Sequence, residues 1–334
     1  MTQSSFLLSD ALHDAYAGIS MGIRLPTWIV KNAIKTGWKA ITPSGEIEVE
    51  RQSINNNEKK MKKQVDSLKV IGVGYSRTGT WSLAKALNEL DFPTFHTMDF
   101  FQDEEIFENF VNGIFYESIK EDKIIMGEPD FDLLVKAGYT ATMDLPFAFY
   151  YDQILEKYPD CKFILTLRDD SNVWWRSWNS LTESEGATLV SKSAGYIGAI
   201  IPHLKKSGYY KRWLYSVINQ DKTFLNHPFP LPAQNRERSI SGYEKHNQGV
   251  RDSIPPSQLL EYNVKEGWEP LCTFLEIPEA ECPSSHGIPF PKTNSTNEVR
   301  WHAYSATIAP IFFAMFILNL VRKIMKKEGH KKMD

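Results

Sequence analysis

Three charged residues, Arg77, Asp144 and Arg168, stand in settings that suggest a use for their charge. Arg77 lies inside Gly74-Tyr75-Ser76-Arg77-Thr78-Gly79-Thr80, a short loop of small and hydroxyl residues. Placed between a strand and a helix, such a loop offers free backbone N–H groups and the positive end of a helix dipole to an anion. A guanidinium within it adds a permanent charge, able to neutralise an oxygen on which negative charge is building. Asp144, in Thr142-Met143-Asp144-Leu145-Pro146, is a carboxylate that takes a proton from a hydroxyl if partial burial raises its pKa. Its alternative role is to cap the helix that follows. Arg168 ends the apolar run Lys162 to Leu167, either as a second cation for a phosphate or as a plain ion-pair partner of Asp169.

The flanking residues predict elements that bring these groups together. Lys69 to Val73 reads as a buried strand, and Trp81 to Leu90 as a helix with Leu83, Ala86, Leu87 and Leu90 on one face. Phe95 to Phe101 reads as a second strand, Asp103 to Ile119 as a helix, Lys136 to Asp144 as a short strand and Phe147 to Lys157 as a helix. Lys162 to Leu167 is the clearest other buried strand. The alternation predicts a mainly parallel sheet covered on both faces, with ligands at the carboxyl ends of its strands. Gly74, Asp144 and Arg168 all fall at such ends. His96 shares that edge, although a lone histidine is most often structural. His246 reads as solvated helix surface or as an inter-helix hydrogen bond. Trp174, Trp175 and Trp178 read as core, with stacking on an adenine ring as the alternative.

Composition narrows the class. A net charge of −3 gives no basic field for nucleic acid. Cys161, Cys272 and Cys282 have no CxxC spacing and read as core or surface thiols, neither a disulfide framework nor a metal site. Residues 1–66 read as an N-terminal extension and linker without a secretory signal, and 12–40 as an amphipathic helix against the domain or a membrane surface. Residues 303–321 carry no charge and are followed by the basic tail 322–334, which predicts a single-pass C-terminal membrane anchor. The basic tail argues for a lumenal domain and the missing signal for a cytosolic one, so the side stays open.

Two phosphate-binding patterns fail at the loop. The dinucleotide fingerprint G-x-G-x-x-G fits Gly72 and Gly74 but meets Arg77 at its third glycine. The triphosphate pattern G-x-x-x-x-G-K-[ST] fits Gly74 and Gly79 but has Thr80 for the lysine and Trp81 for the magnesium-binding hydroxyl.

Arg77-Thr78-Gly79-Thr80 instead resembles the sulfotransferase loop, roughly Lys-Ser-Gly-Thr-Thr, with arginine in place of lysine. Arg168 followed by Ser177 resembles the family's strand-end arginine and helix serine, one residue further apart than in the cytosolic enzymes, and Arg176 is the alternative to Ser177. Asp144 takes the place of the histidine in the family's Lys-Thr-His-Leu-Pro segment. The runs Gly138 to Asp144, Tyr158 to Lys162, Leu260 to Tyr262, Gly267 to Cys272 and Pro289 to Asn294 are similar to a fungal and invertebrate branch often labelled as epimerases, over residues 67–298. The C-terminal Arg-Lys-Gly segment of the better-known enzymes is absent.

The resemblance implies a three-layer α/β P-loop-type domain over 67–300 with a mainly parallel central sheet. It implies 3′-phosphoadenosine 5′-phosphosulfate as co-substrate, held by Ser76, Arg77, Thr78, Gly79, Thr80, Trp81, Arg168 and Ser177, with Arg77 and Asp144 catalytic and no metal. The acceptor is a hydroxyl or amine of a small molecule or glycan. A P-loop kinase or NTPase and a non-catalytic membrane-tethered binding protein are the other readings.

Overall fold

In the computed structural model, residues 66–100, 103–187, 202–228 and 231–292 are described. Strand β1 (Val70–Gly72) leads through the glycine loop into α1 (Thr80–Glu89), then β2 (Thr94–His96), α2 (Thr97–Phe100) and α3 (Glu104–Phe110). A π-helical turn, Val111–Phe115, joins α3 to α4 (Tyr116–Lys120); α5 (Asp132–Lys136) and β3 (Ala141–Met143) follow. A 3-10 turn, Phe147–Tyr150, opens into α6 (Tyr151–Lys157), and β4 (Lys162–Thr166) into α7 (Ser171–Ala187). Then come α8 (Pro202–Asn219), α9 (Arg236–Ser253), β5 (Leu259–Tyr262) and α10 (Trp268–Phe274).

The strands form one sheet in the order β2-β3-β1-β4-β5, with every pair parallel. Alternate side chains leave opposite faces of a strand, so the sheet has two cores. Ile71, Phe95, Phe163 and Leu165 face an aromatic-rich layer that includes Trp174, Trp213 and Tyr243. Val70, Met143, Ile164 and Tyr262 face Leu83 and Leu87 of α1 and Leu271 of α10. Each leucine fully buried there contributes about 2 kcal/mol. The result fits the expected three-layer P-loop-type fold.

Register places the site. Gly72 pairs with Met143 and with Ile164, and His96 pairs with Met143. The residues just beyond them, including the loop and Asp144, therefore emerge along one edge.

Several expectations need correction. The second strand stops at His96 because Asp99 accepts its backbone N–H at 3.1 Å and turns the chain into α2. The single helix expected over 103–119 is divided by the π-helical turn, which contains Gly113. Asp103 starts it, accepting the Ile106 N–H at 3.1 Å. The strand expected over 136–144 is only Ala141–Met143, and β5 was not anticipated as a strand. Cys272 and Cys282 form a disulfide with Cα atoms 6.0 Å apart. Cys161 is a buried thiol whose pKa is pushed up to about 12 by burial and by Asp160.

The membrane anchor is also not supported. Residues 303–321 lie outside the described residues, as do 1–65 and 322–334, and no helix among the described residues is long and apolar enough to cross a membrane. Even the 18-residue α8 mixes apolar positions with Lys205, Lys206, Lys211 and Arg212, as an amphipathic helix does.

Candidate active site

The anion loop is shaped by bonds to its carbonyls. Val73 still donates its N–H to Ile164 of β4 at 2.9 Å, while its carbonyl accepts from His246 Nε2 of α9 at 2.7 Å. Thr78 Oγ1 donates to the Tyr75 carbonyl at 2.6 Å, and Trp174 Nε1 to the Ser76 carbonyl at 3.1 Å. In a planar trans peptide the C=O and the following N–H point in opposite directions. The amides of Gly74, Ser76 and Arg77 are therefore turned away from these donors, and none has an acceptor among the described residues. Only glycine fits at position 74, where a Cβ would lie 2.0 Å from Thr166 Oγ1. Gly79 caps α1 at φ 107° with no side-chain bond to the first turn, so the orphan N–H groups of the helix start add to the same concavity.

Arg77 sits in this loop at φ 76°, a strained conformation for a residue with a side chain. Its Nε donates to Ser177 Oγ at 3.1 Å, which brings α7 to the loop. Burial lowers the pKa of its guanidinium, nearby Asp144 raises it, and Arg168 lowers it again. Neither Arg77 nor Arg168 forms a salt bridge among the described residues. Asp169, the alternative partner of Arg168, is bonded instead to Lys265 and Asn263. Arg168 is half-buried and also borders a groove of about 550 Å³ between the start of α7 and α9. Arg176 is exposed.

Asp144 ends β3 at φ 73° and is 5% exposed. Its Oδ1 accepts from Ser76 Oγ and, at 2.7 Å, from the Leu145 N–H. Its Oδ2 accepts from Thr80 Oγ1 at 3.1 Å and lies 3.1 Å from His96 Nε2. Four donors match the acceptor capacity of one carboxylate. Burial alone raises its pKa, but the hydrogen bond and charge of His96, then Ser76 and the Leu145 amide, outweigh it and hold the carboxyl below its usual range. The condition set for a carboxylate base, an upward shift, is thus not met. The side chain also does not cap the following turn, which starts at Pro146 without a side-chain bond.

The structure brings Ser76, Arg77, Thr78, Gly79, Thr80, Asp144 and Ser177 together, with Arg168 close enough to act on the charge of Arg77. Sequence reasoning undervalued His96, which touches both Asp144 and Thr80, the latter at 3.2 Å. Trp81 meets the His96 ring edge to face at 4.6 Å. Trp174 and Trp178 are core, the former stacked on Tyr243 at 4.4 Å. His246 is buried, not solvated.

The sequence profile of a family described as a sulfotransferase domain matches residues 69–299. The chain is also 28% identical over 218 residues to Ava biosynthesis cluster protein M of Aspergillus versicolor, an alignment covering 65% of this chain and 80% of that protein.

Proposed function

The chain belongs to the sulfotransferase domain family, and from that premise we propose that its 67–300 region transfers a sulfuryl group from 3′-phosphoadenosine 5′-phosphosulfate to a hydroxyl or amine acceptor. The observation that carries this reading is the pair of guanidiniums, Arg77 and Arg168, set at one edge with no salt bridge to either among the described residues. Two like charges so placed are relieved by an anion, and the free amides of the loop add directional donors. When bound, the donor supplies the sulfuryl group and a phosphate leaving group. Arg77 and the loop amides bind the phosphosulfate end and neutralise the charge that grows on the bridging oxygen. Arginine is a poor proton donor, so this role is electrostatic. Arg168 and Ser177 hold the 3′-phosphate.

On the neighbouring strands, Asp144 and His96 take up the proton of the acceptor as a pair. The carboxylate, kept ionised by its donors, holds the imidazole in place for that transfer. The name of the relative places that protein in a biosynthesis cluster, which favours a small-molecule acceptor here.

Calorimetric titration of the full chain with 3′-phosphoadenosine 5′-phosphate and, separately, with ATP–Mg²⁺ tests the reading. The former is expected to bind and the latter to bind much more weakly. Tight binding of ATP–Mg²⁺ alone would sink it.

A further inference from the structure

Helix α9 holds the residue at which the anion loop begins. His246 Nε2 donates to the Val73 carbonyl at 2.7 Å, and its ring lies 4.4 Å from that of Tyr75. Phe149 and Tyr151 close the same box, with centroids 5.9 and 5.6 Å away. A leucine or phenylalanine would fill such an aromatic box without the cost of burying a polar ring, so the packing alone gives no reason for an imidazole. The reason lies in its partner. Val73 is fully buried, and its carbonyl has left the strand ladder at the point where the loop begins. Without His246 that carbonyl is a buried acceptor with no bond. Burial pushes the His246 pKa down to about 4, so the ring stays neutral and carries a single N–H.

We propose that His246 is a positioning residue for the anion loop, its Nε2–H pinning the Val73–Gly74 peptide so that the Gly74 amide faces the bound anion. The identity of that anion rests on the sulfotransferase reading; the pinning does not. One consequence is that α9 holds both ends of the cationic site, since the Tyr243 hydroxyl, three residues earlier, accepts the Arg168 backbone N–H at 3.5 Å.

Two variants separate the bond from the packing. His246→Phe keeps an aromatic ring in the box and removes the donor. His246→Gln keeps a donor near Nε2 and loses the ring. With 3′-phosphoadenosine 5′-phosphate as probe, His246→Phe is expected to raise Kd about tenfold. His246→Gln should stay within about threefold of wild type even where its melting temperature is no higher than that of the Phe variant. A residue acting only through packing would give affinities that follow the melting temperatures, and that result overturns the proposal. Hydrogen exchange of the ligand-free protein gives a readout that needs no nucleotide. The Val73 and Thr78 amides, bonded to the Ile164 and Tyr75 carbonyls, should exchange faster in His246→Phe and near the wild-type rate in His246→Gln, with the amides of β4 unchanged. Equal loop exchange in wild type and His246→Phe overturns the pinning. If the wild-type protein failed to bind the nucleotide, the sulfotransferase reading would fall, and exchange would still decide the role of His246.

Discussion

The carboxyl edge of the sheet is divided by charge. On the β1–β4 side, Arg77 and Arg168 make no salt bridge among the described residues, and a serine hydroxyl is the side-chain contact of Arg77. On the β2–β3 side, one carboxylate collects four donors and leaves no acceptor site unused. The two sides meet where Ser76 and Thr80, flanking Arg77 in the loop, both turn their hydroxyls to Asp144. Unmatched cations cost stability and make a place for an anion; a matched carboxylate is cheap to bury and makes a fixed support for a neighbouring base. Binding and proton handling thus call for opposite electrostatics, and adjacent strand ends supply them. Arg77 and Asp144 both hold positive φ, so the site stores backbone strain on both sides.

The sharpest break of this division is Arg77→Ala. It is expected to lower kcat about 10⁴-fold, measured as sulfuryl transfer from the radiolabelled donor to a simple phenol such as 2-naphthol. Arg77→Lys should recover only part, because a point charge replaces a planar fork. A loss below tenfold would mean that the cationic side only binds. Asp144→Asn is expected to cost about 10³-fold in kcat while leaving the Kd for 3′-phosphoadenosine 5′-phosphate within about twofold. If affinity fell as far as turnover, the two sides would not be separate devices.

The cationic side was the more legible in the sequence. Strand, loop and helix are local, so Gly74 to Thr80 announced an anion cradle, and Arg168 announced itself at the end of an apolar run. The acidic side depends on pairing across distance. His96 reaches Asp144 only because β2 and β3 are parallel neighbours in a register that pairs His96 with Met143. The direction of the Asp144 shift was not legible for a related reason: burial is visible in a pattern of apolar neighbours, whereas the convergence of four donors from three segments is not. The short edge strand β5, with Glu261 exposed, and the Cys272–Cys282 bond escaped because neither has a local signature.

Acid sharpens the comparison, because guanidiniums keep their protons while the groups around them titrate. The folded pKa of His246, about 4, lies below the 6.5 of the unfolded chain. The unfolded state therefore binds the extra proton. The stability tied to His246 is complete above about pH 6.5 and drains away as pH falls toward about 4, on the order of 3 kcal/mol. The carboxyl of Asp144 is also depressed, so its share is complete above the ordinary carboxylate range and is lost at lower pH, as the folded group takes its proton. Urea midpoints across pH 8 to 3 should show both losses. His246→Phe should flatten the upper window and Asp144→Asn the lower one, and a wild-type midpoint that held steady from about pH 6.5 to 4 would contradict the first.

The smallest effect is expected on the far face of the sheet. The disulfide ties Cys272 of α10 to Cys282, and α10 packs with Tyr262 and Leu83 beneath the cationic side. Contact with the loop itself passes through Val264, whose Cγ1 would lie 2.6 Å from a Cβ on Gly79. Val264 precedes α10 and is outside the segment that the disulfide closes. Cutting a short closed loop mainly releases entropy in the unfolded chain, so replacing both cysteines by serine should cost about 2 kcal/mol. Donor affinity should stay within about twofold, and reduction of the wild-type protein should have the same effect. A loss of affinity above about fivefold would show that the geometry of the cationic side is set by α10 as well as by the ends of β1 and β4. The charge division would then belong to the whole three-layer stack and not to its strand ends.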